Sequence, residues 1–255
     1  MLIKAAINGG RSRTDHAAVP ITPGEQAAAV IECLKAGANA IHLHVRSPAS
    51  HSSSSQIEAI SPEKESLYAD DVAPTILAVR AAAPIESIGV STGAWILAGD
   101  ARRQAVAAWE VLPGFASVNF TEDGATELAT LLLSRGVAVE AGLCDAESAA
   151  VFVKSGLAAT CLRVLLEPQE QDLKQALETV AAMEDVLNSA SLQLPPILLH
   201  GTEATVWPLM DAAIARGYDV RVGLEDTLVL PDGSMARDNV ELIREAVRRV
   251  RAAGR

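Results

Sequence analysis

The sequence predicts a closed (β/α)8 barrel, a TIM-type α/β fold in which residues 1–255 form one domain. Three observations carry that prediction. Apolar residues make up 49% of the chain and aromatics only 3%, a balance dominated by Ala, Val, Leu and Ile that suits helices packed on parallel strands better than a β-sandwich. Short strand-type runs alternate with longer helix-type runs eight times, with no linker between them. The length of 255 residues matches the ~250 of a typical barrel. A doubly wound open sheet shares the alternation; the count of eight and the length favour closure.

The elements follow in order. "IKAAINGG" reads as a strand closed by two glycines. In "TPGEQAAAVIECLKAGA", Thr22 is placed as N-cap, Pro23 at the first helical position, and Gly37 as the stop. "AIHLHV" is the second strand, and residues 47–73 after it form a long connection with the low-complexity core "SHSSSS". The next helix is predicted within "APTILAVRAAA". "SIGVSTG" then leads into "DARRQAVAAWEVL", "ASVNFT" into "GATELATLLLSRG", and "VAVEAGL" into "DAESAAVFVKSG". "ATCLRVLLE" leads into "DLKQALETVAAMEDVLNS", "PILLHG" into "ATVWPLMDAAIARG", and "DVRVGLED" into "NVELIREAVRRVRAA".

Successive side chains of a strand alternate faces, so each strand can be divided into helix-facing and barrel-facing residues. With Ile3, Ala5 and Ile7 facing the helices, Asn8 is left inside the first strand's end. By the same reasoning the later strands present His42 and His44, Ser91, Asn119 and Thr121, Glu140, Arg163, His200, and Arg221 with Glu225. A barrel interior filled for stability alone would be mostly branched and apolar. Unpartnered burial of so many polar groups would cost ~1–3 kcal/mol each, so they are read as one polar site at the C-terminal ends of the strands.

The formal net charge of −11 argues against a nucleic-acid surface, while leaving room for a small anionic substrate. Cys33, Cys144 and Cys161 are too widely spaced for a disulfide framework or a thiolate metal site, which points to a reducing cytoplasm. "MLIKAAINGG" is too short in its apolar part for a signal peptide, and no run reaches the ~18 apolar residues of a membrane span. Neither nucleic acid nor membrane is expected as a partner.

His42 and His44, one residue apart in "AIHLHVR", offer two imidazoles on one strand face. Imidazoles and a carboxylate are standard zinc donors, and a catalytic zinc keeps three protein ligands with one open position. The third donor can be Glu225, from the last strand, or His200, from its neighbour. The competing reading is two histidines hydrogen-bonded in a polar core. Arg221 is either a structural partner of Glu140 or a cation for a substrate oxyanion. Asp226 is a general base or a cap on the turn "EDTLVLPDG". "STG" at 91–93 can present hydroxyls and N–H groups to a carboxylate. Cys144 reads as a small strand-end hydrophobe, and His16 and His51 as exposed loop residues.

Taken together, "VPITPGEQA", "GANAIHLHVR", "VSTGAW", "ASVNF" and especially "VRVGLEDTLVLPDGSMARDNVELI" resemble the family of β-keto acid cleavage enzymes, of which 3-keto-5-aminohexanoate cleavage enzyme is a named member. The resemblance implies a zinc-dependent barrel, associating as a homo-oligomer, that cleaves a β-keto acid with acetyl-CoA into acetoacetate and a new acyl-CoA. It implies His42, His44 and Glu225 as metal ligands, with Ser91, Thr92 and Gly93 holding the substrate carboxylate. Asn119 and Glu140 are further substrate-binding candidates; Arg221 would stabilise oxyanions and Asp226 would be the base.

The chain also departs from that family. A glutamate expected just after the first strand is replaced by "INGGRSR", near Arg11. "NFTEDG" is a shortened segment, "VLLEPQEQD" stands where a glycine-rich loop is usual, and "LLHGTEA" where a glycine-arginine pair is usual. These changes fall where CoA and the substrate's variable arm would sit; Arg11 or Arg163 could then favour a second anionic group. Two rivals remain. One is a zinc hydrolase of the amidohydrolase type, whose paired histidines belong to the first strand; the other is a non-catalytic barrel that binds a metabolite.

Overall fold

The computed structural model describes residues 1–47, 64–190 and 193–254. Among them, eight parallel strands close into a barrel in sequence order. They are β1 (Ile3–Ala6), β2 (Ala40–Leu43), β3 (Ile88–Ser91), β4 (Phe115–Asn119), β5 (Ala138–Leu143), β6 (Arg163–Leu166), β7 (Ile197–Leu199) and β8 (Asp219–Val222). β8 pairs with β1 through Ile3 opposite Val220 and Lys4 opposite Arg221, and this pairing closes the barrel. The open-sheet alternative is thereby excluded.

The outer ring consists of α1 (Pro23–Ala36), α2 (Ala69–Arg80), α3 (Gly99–Ala107), α4 (Ala125–Ser134), α5 (Ala146–Ser155), α6 (Leu173–Ser189), α7 (Val206–Arg216) and α8 (Asn239–Ala252). α1 starts as its sequence predicts. Thr22 accepts from the Glu25 N–H, Glu25 accepts from the Thr22 N–H, and Pro23 occupies the first turn, a capping box that satisfies donors a helix start leaves orphaned. At the other end Gly37 adopts φ 115°, a conformation open to glycine.

α2 begins four residues earlier than the alanine-rich stretch suggests. Asp70 and Asp71 lie in its first turn, at the positive end of the helix dipole, and Ser66 Oγ donates to Asp71 Oδ2 at 2.6 Å. Pro74 is accommodated inside the helix rather than starting it. α3 ends at Ala107, before the predicted "WEVL". Trp109 turns inward there, buried, and donates from Nε1 to the Leu67 carbonyl at 2.8 Å.

The apolar core lies between strands and helices, where Ile3, Ala5, Ile7, Ile41, Leu43, Ile88, Val90, Val118 and Val139 are buried with Val30, Ile76, Leu128 and Ile243 of the helices. The barrel interior has a different composition. Phe115 fills its space above Gly89, where a Cβ would lie 1.9 Å from the ring. Next to it, Lys4 Nζ donates to Glu140 Oε2 at 2.7 Å and Arg163 donates to Glu140 Oε1 at 2.6 Å.

Part of the predicted 47–73 connection, including His51 and the serine run, lies outside the described residues. His16 is not a free loop residue: it is half-buried, with Nε2 2.8 Å from the Ala236 carbonyl. All three cysteines are free. No helix among the described residues is long and apolar enough to cross a membrane.

Candidate metal centre and cavity

A cavity of about 410 Å³ opens at the C-terminal ends of the strands. His42 from β2 and His44, just beyond it, stand on one wall with Glu225, which follows β8. Glu225 approaches because Gly9, with φ 50°, has no side chain: a Cβ there would lie 2.3 Å from the Glu225 Cγ. The three residues offer donor atoms that all lie within 4.8 Å of one another.

The pairwise geometry fits a metal. His42 Nε2 and His44 Nε2 are 3.1 Å apart. His44 Nε2 is 3.5 Å from Glu225 Oε1, and His42 Nε2 is 3.7 Å from Glu225 Oε2. Tetrahedral donors with bonds of about 2.0–2.1 Å would be separated by roughly 3.3 Å. Glu225 Oε2 is buried without a hydrogen-bond partner among the described residues, a position that a cation would satisfy. His200 is not part of this cluster.

The protonation states are consistent with that fit. Burial holds the His42 imidazole well below its ordinary range, with Arg221 and His44 acting in the same direction against Glu225. His44 is raised to about 9: burial opposes the shift, and Glu225 and Glu65 outweigh it. A metal at Nε2 would displace that proton. Burial also opposes ionisation of Glu225, yet Arg221, His42 and His44 hold its carboxyl well below the usual range.

Arg221 lines the cavity beside the triad. Its guanidinium donates to Glu225 Oε1, to Asp226 Oδ1 at 2.7 Å from Nη2, and to both Asp226 oxygens at 3.2 Å from Nε. Asp226 and Glu225 raise the Arg221 pKa against burial, so it remains a cation. Of the two readings of Arg221, the structural partnership with Glu140 does not form. Glu140 is instead enclosed by Lys4 and Arg163, away from the cavity lining. Asp226 is fully buried behind Arg221, with Oδ1 3.8 Å from His200 Nδ1.

Of the "STG" tripeptide only Ser91 lines the cavity. Thr92 Oγ1 donates to the Ser117 carbonyl at 2.6 Å, and Gly93 lies under the Trp95 indole, where a Cβ would fall 2.3 Å from the ring. Asn119 and Thr121 line the cavity as predicted, and Cys144 does so too. Burial pushes the Cys144 thiol up to about 11, with Asp145 adding to the shift, so it is a neutral wall residue. Arg11 pairs with Glu203 and Arg163 with Glu140; neither lines the cavity.

Sequence reasoning missed Lys4, Glu65, Trp95, Glu122 and Glu167. Glu65 accepts from His44 Nδ1. Glu122 accepts from the Ala94 N–H at 2.9 Å and Asn119 Nδ2 at 3.2 Å. Glu167 Oε2 is 3.1 Å from His200 Nε2. Its other oxygen and Asn119 Oδ1 both lie within 2.7 Å of the point a Cβ on Gly142 would occupy. The missing side chain of Gly142 thus leaves two converging acceptor oxygens, one amide and one carboxylate, in the cavity wall beside His200.

A parallel barrel with a three-donor cluster and a buried arginine at its strand ends defines an enzyme-type site. The chain belongs to the β-keto acid cleavage enzyme family, whose pattern it matches over residues 1–255. A 3-keto-5-aminohexanoate cleavage enzyme from Fusobacterium nucleatum subsp. nucleatum is 28% identical over 283 residues, covering 100% of this chain and 93% of that protein. Among solved structures, a binary complex of ObcA with oxaloacetate superposes with a TM-score of 0.67 at 19% identity, covering 92% of this chain and 64% of ObcA. A ternary complex of ObcA with a C4-CoA adduct and oxalate gives 0.66 at 18% identity, over 92% and 64%. The N-acetylmannosamine-6-phosphate 2-epimerase of Clostridium perfringens gives 0.53 at 9% identity, over 89% of this chain and 87% of that one. These structural likenesses establish the shared barrel; the family match is to a β-keto acid-cleaving enzyme.

Proposed function

We propose that the chain is a zinc-dependent acyltransferase that takes a β-keto acid and acetyl-CoA to acetoacetate and a new acyl-CoA. The observation that carries the reading is the His42–His44–Glu225 cluster facing a cavity that Arg221 also lines. Zinc is favoured by two imidazoles and one carboxylate at near-tetrahedral separations. When bound, the metal supplies Lewis acidity to the keto and carboxylate oxygens of the substrate.

The chain's own residues do the rest. Ser91 Oγ, at the β3 end, offers a donor to the substrate carboxylate. Arg221, held as a cation, faces negative charge developing on a carbonyl oxygen. Asp226 takes the proton from the carbon between the two carbonyls once Arg221 turns from it to a substrate oxygen. The carbon nucleophile joins the acetyl carbon of the thioester, releasing CoA thiolate. The thiolate then attacks the former keto carbon, the carbon–carbon bond breaks to give acyl-CoA and the enolate of acetoacetate, and Asp226 returns its proton to that carbon. ObcA, solved with oxaloacetate and with a C4-CoA adduct, supports a barrel of this shape accommodating such reactants.

Asn119 Oδ1 and Glu167 Oε1, converging above Gly142, suit a protonated amine on the substrate's arm, as in the substrate named for the Fusobacterium relative. The proposal includes a reducing cytoplasm, which the three unpaired thiols favour, and a homo-oligomer, for which the family resemblance speaks. The test is incubation of metal-loaded protein with acetyl-CoA and a panel of β-keto acids. Acetoacetate formed only with acetyl-CoA, and lost on chelation, supports the reading. Cleavage without CoA would make it a hydrolase, and no turnover of any substrate would make it a binding barrel.

A further inference from the structure

Glu65 makes a direct contact with the candidate ligand set from outside it. Beyond residues 48–63 the chain returns antiparallel to the segment after β2, with Arg46 opposite Glu65. The Ser66 N–H donates to the Val45 carbonyl at 3.0 Å, and the Ser47 N–H donates to the Lys64 carbonyl at 2.8 Å. This return places the Glu65 carboxylate against His44 Nδ1, the ring nitrogen turned away from the cluster. The same carboxylate accepts from Trp95 Nε1, at 3.1 Å to Oε2 and 3.3 Å to Oε1.

Gly93 makes room for the arrangement. The Trp95 indole stacks on the His44 ring, with centroids 6.1 Å apart and planes at 27°, and it lies over Gly93, where a Cβ would fall 2.3 Å from the ring. His42 has no such support: its Nδ1 is buried without a partner among the described residues.

We propose that Glu65, held by the Trp95 indole, is a positioning residue that fixes the Nδ1–H tautomer of His44 and turns Nε2 toward a metal shared with His42 and Glu225. Which imidazole nitrogen ligates is set by the hydrogen bond the other one makes, and a carboxylate there also raises the basicity of the ligating nitrogen. The metal centre thereby depends on a residue from the β2–α2 connection, beyond its three donors. This inference rests on the metal reading proposed above.

The experiment measures zinc affinity of chelator-stripped protein by competition with a chromogenic chelator, for wild type, Glu65→Ala, Glu65→Gln and Trp95→Phe. Loss of such an outer partner costs about 10- to 100-fold in metal affinity, and that loss is expected for E65A. E65Q, whose amide oxygen still accepts from Nδ1–H, should recover most of it, and W95F should fall between E65A and wild type. A folded E65A binding zinc within twofold of wild type overturns the proposal. Should E65A fail to fold, long-range proton–nitrogen NMR of zinc-loaded wild type decides the question instead. A proton on His44 Nδ1 is required, and a proton on Nε2 overturns it. If wild type itself binds no zinc, it is the metal reading that fails.

Discussion

The ion cluster beneath the cavity determines whether Glu140 serves the substrate or the barrel. Its carboxylate is completely buried and shared by Lys4 and Arg163 at 2.7 and 2.6 Å. Burial opposes its ionisation, but the two cations hold its pKa below the ordinary value; burial likewise lowers Lys4. Glu140→Gln leaves two buried cations facing a neutral amide. Removing one partner of a buried ion pair costs about 3–5 kcal/mol. At roughly 2–4 °C per kcal/mol for a chain of this size, the melting temperature should fall by about 6–20 °C. Lys4→Met is expected to cost less, about 1–3 kcal/mol for one lost hydrogen bond to a charge, because Arg163 and Glu140 remain a pair. Thermal melts followed by circular dichroism, with kcat/KM determined per folded molecule, check both. An E140Q protein that melts like wild type but loses affinity for its β-keto acid would refute this reasoning and place Glu140 on the substrate.

Three further outcomes follow from the geometry. Gly142→Ala puts a Cβ 2.3 Å from Glu167 Oε1 and 2.7 Å from Asn119 Oδ1. It should lower kcat/KM for an amine-bearing β-keto acid about 10- to 100-fold, the worth of a charge-assisted hydrogen bond; an equal loss on a methyl-ended analogue counts against the amine subsite. Zinc at about 100 times its dissociation constant should stabilise the fold by ~2.7 kcal/mol, raising the melting temperature by roughly 5–10 °C; an unchanged melt argues against the metal centre. Glu25 is lowered to about 2: burial opposes the shift, while the Thr22 and Ile21 N–H groups and Arg13 outweigh it. The stability it contributes is therefore complete above pH ~4.5 and lost as pH falls toward ~2. Its side chain is 45% exposed, which limits the effect to a few tenths of a kcal/mol. Glu25→Gln, whose amide oxygen can still accept in the capping box, should flatten acid unfolding in that window, and an unchanged profile would show that the Glu25 charge contributes nothing.

The residues legible from sequence are those governed by strand alternation. Asn8, His42, His44, Ser91, Arg163, His200 and Arg221 all stand on the buried, barrel-facing side of strands or at their ends, because a period of two leaves each side chain only two directions. Lys4 and Glu167 obey the same rule, although neither is singled out by its sequence context. Lys4 shares a face with Asn8, and Glu167 continues the series Arg163, Leu165. Partner choice needs more than alternation. Glu140 lies opposite Arg163 in the register of β5 and β6, as Arg221 lies opposite Lys4, and no single strand's pattern reveals such levels. The loop contributions have weaker local signals still. Trp95 reaches His44 only because Gly93 is bare, and Glu65 arrives there because the chain returns beside Val45. Strand period thus explains why the donors share a face, while loop closure determines what holds them. None of the loops after β1, β6 and β7 supplies one of the three donors, which come from β2, the residue just beyond it, and the turn after β8.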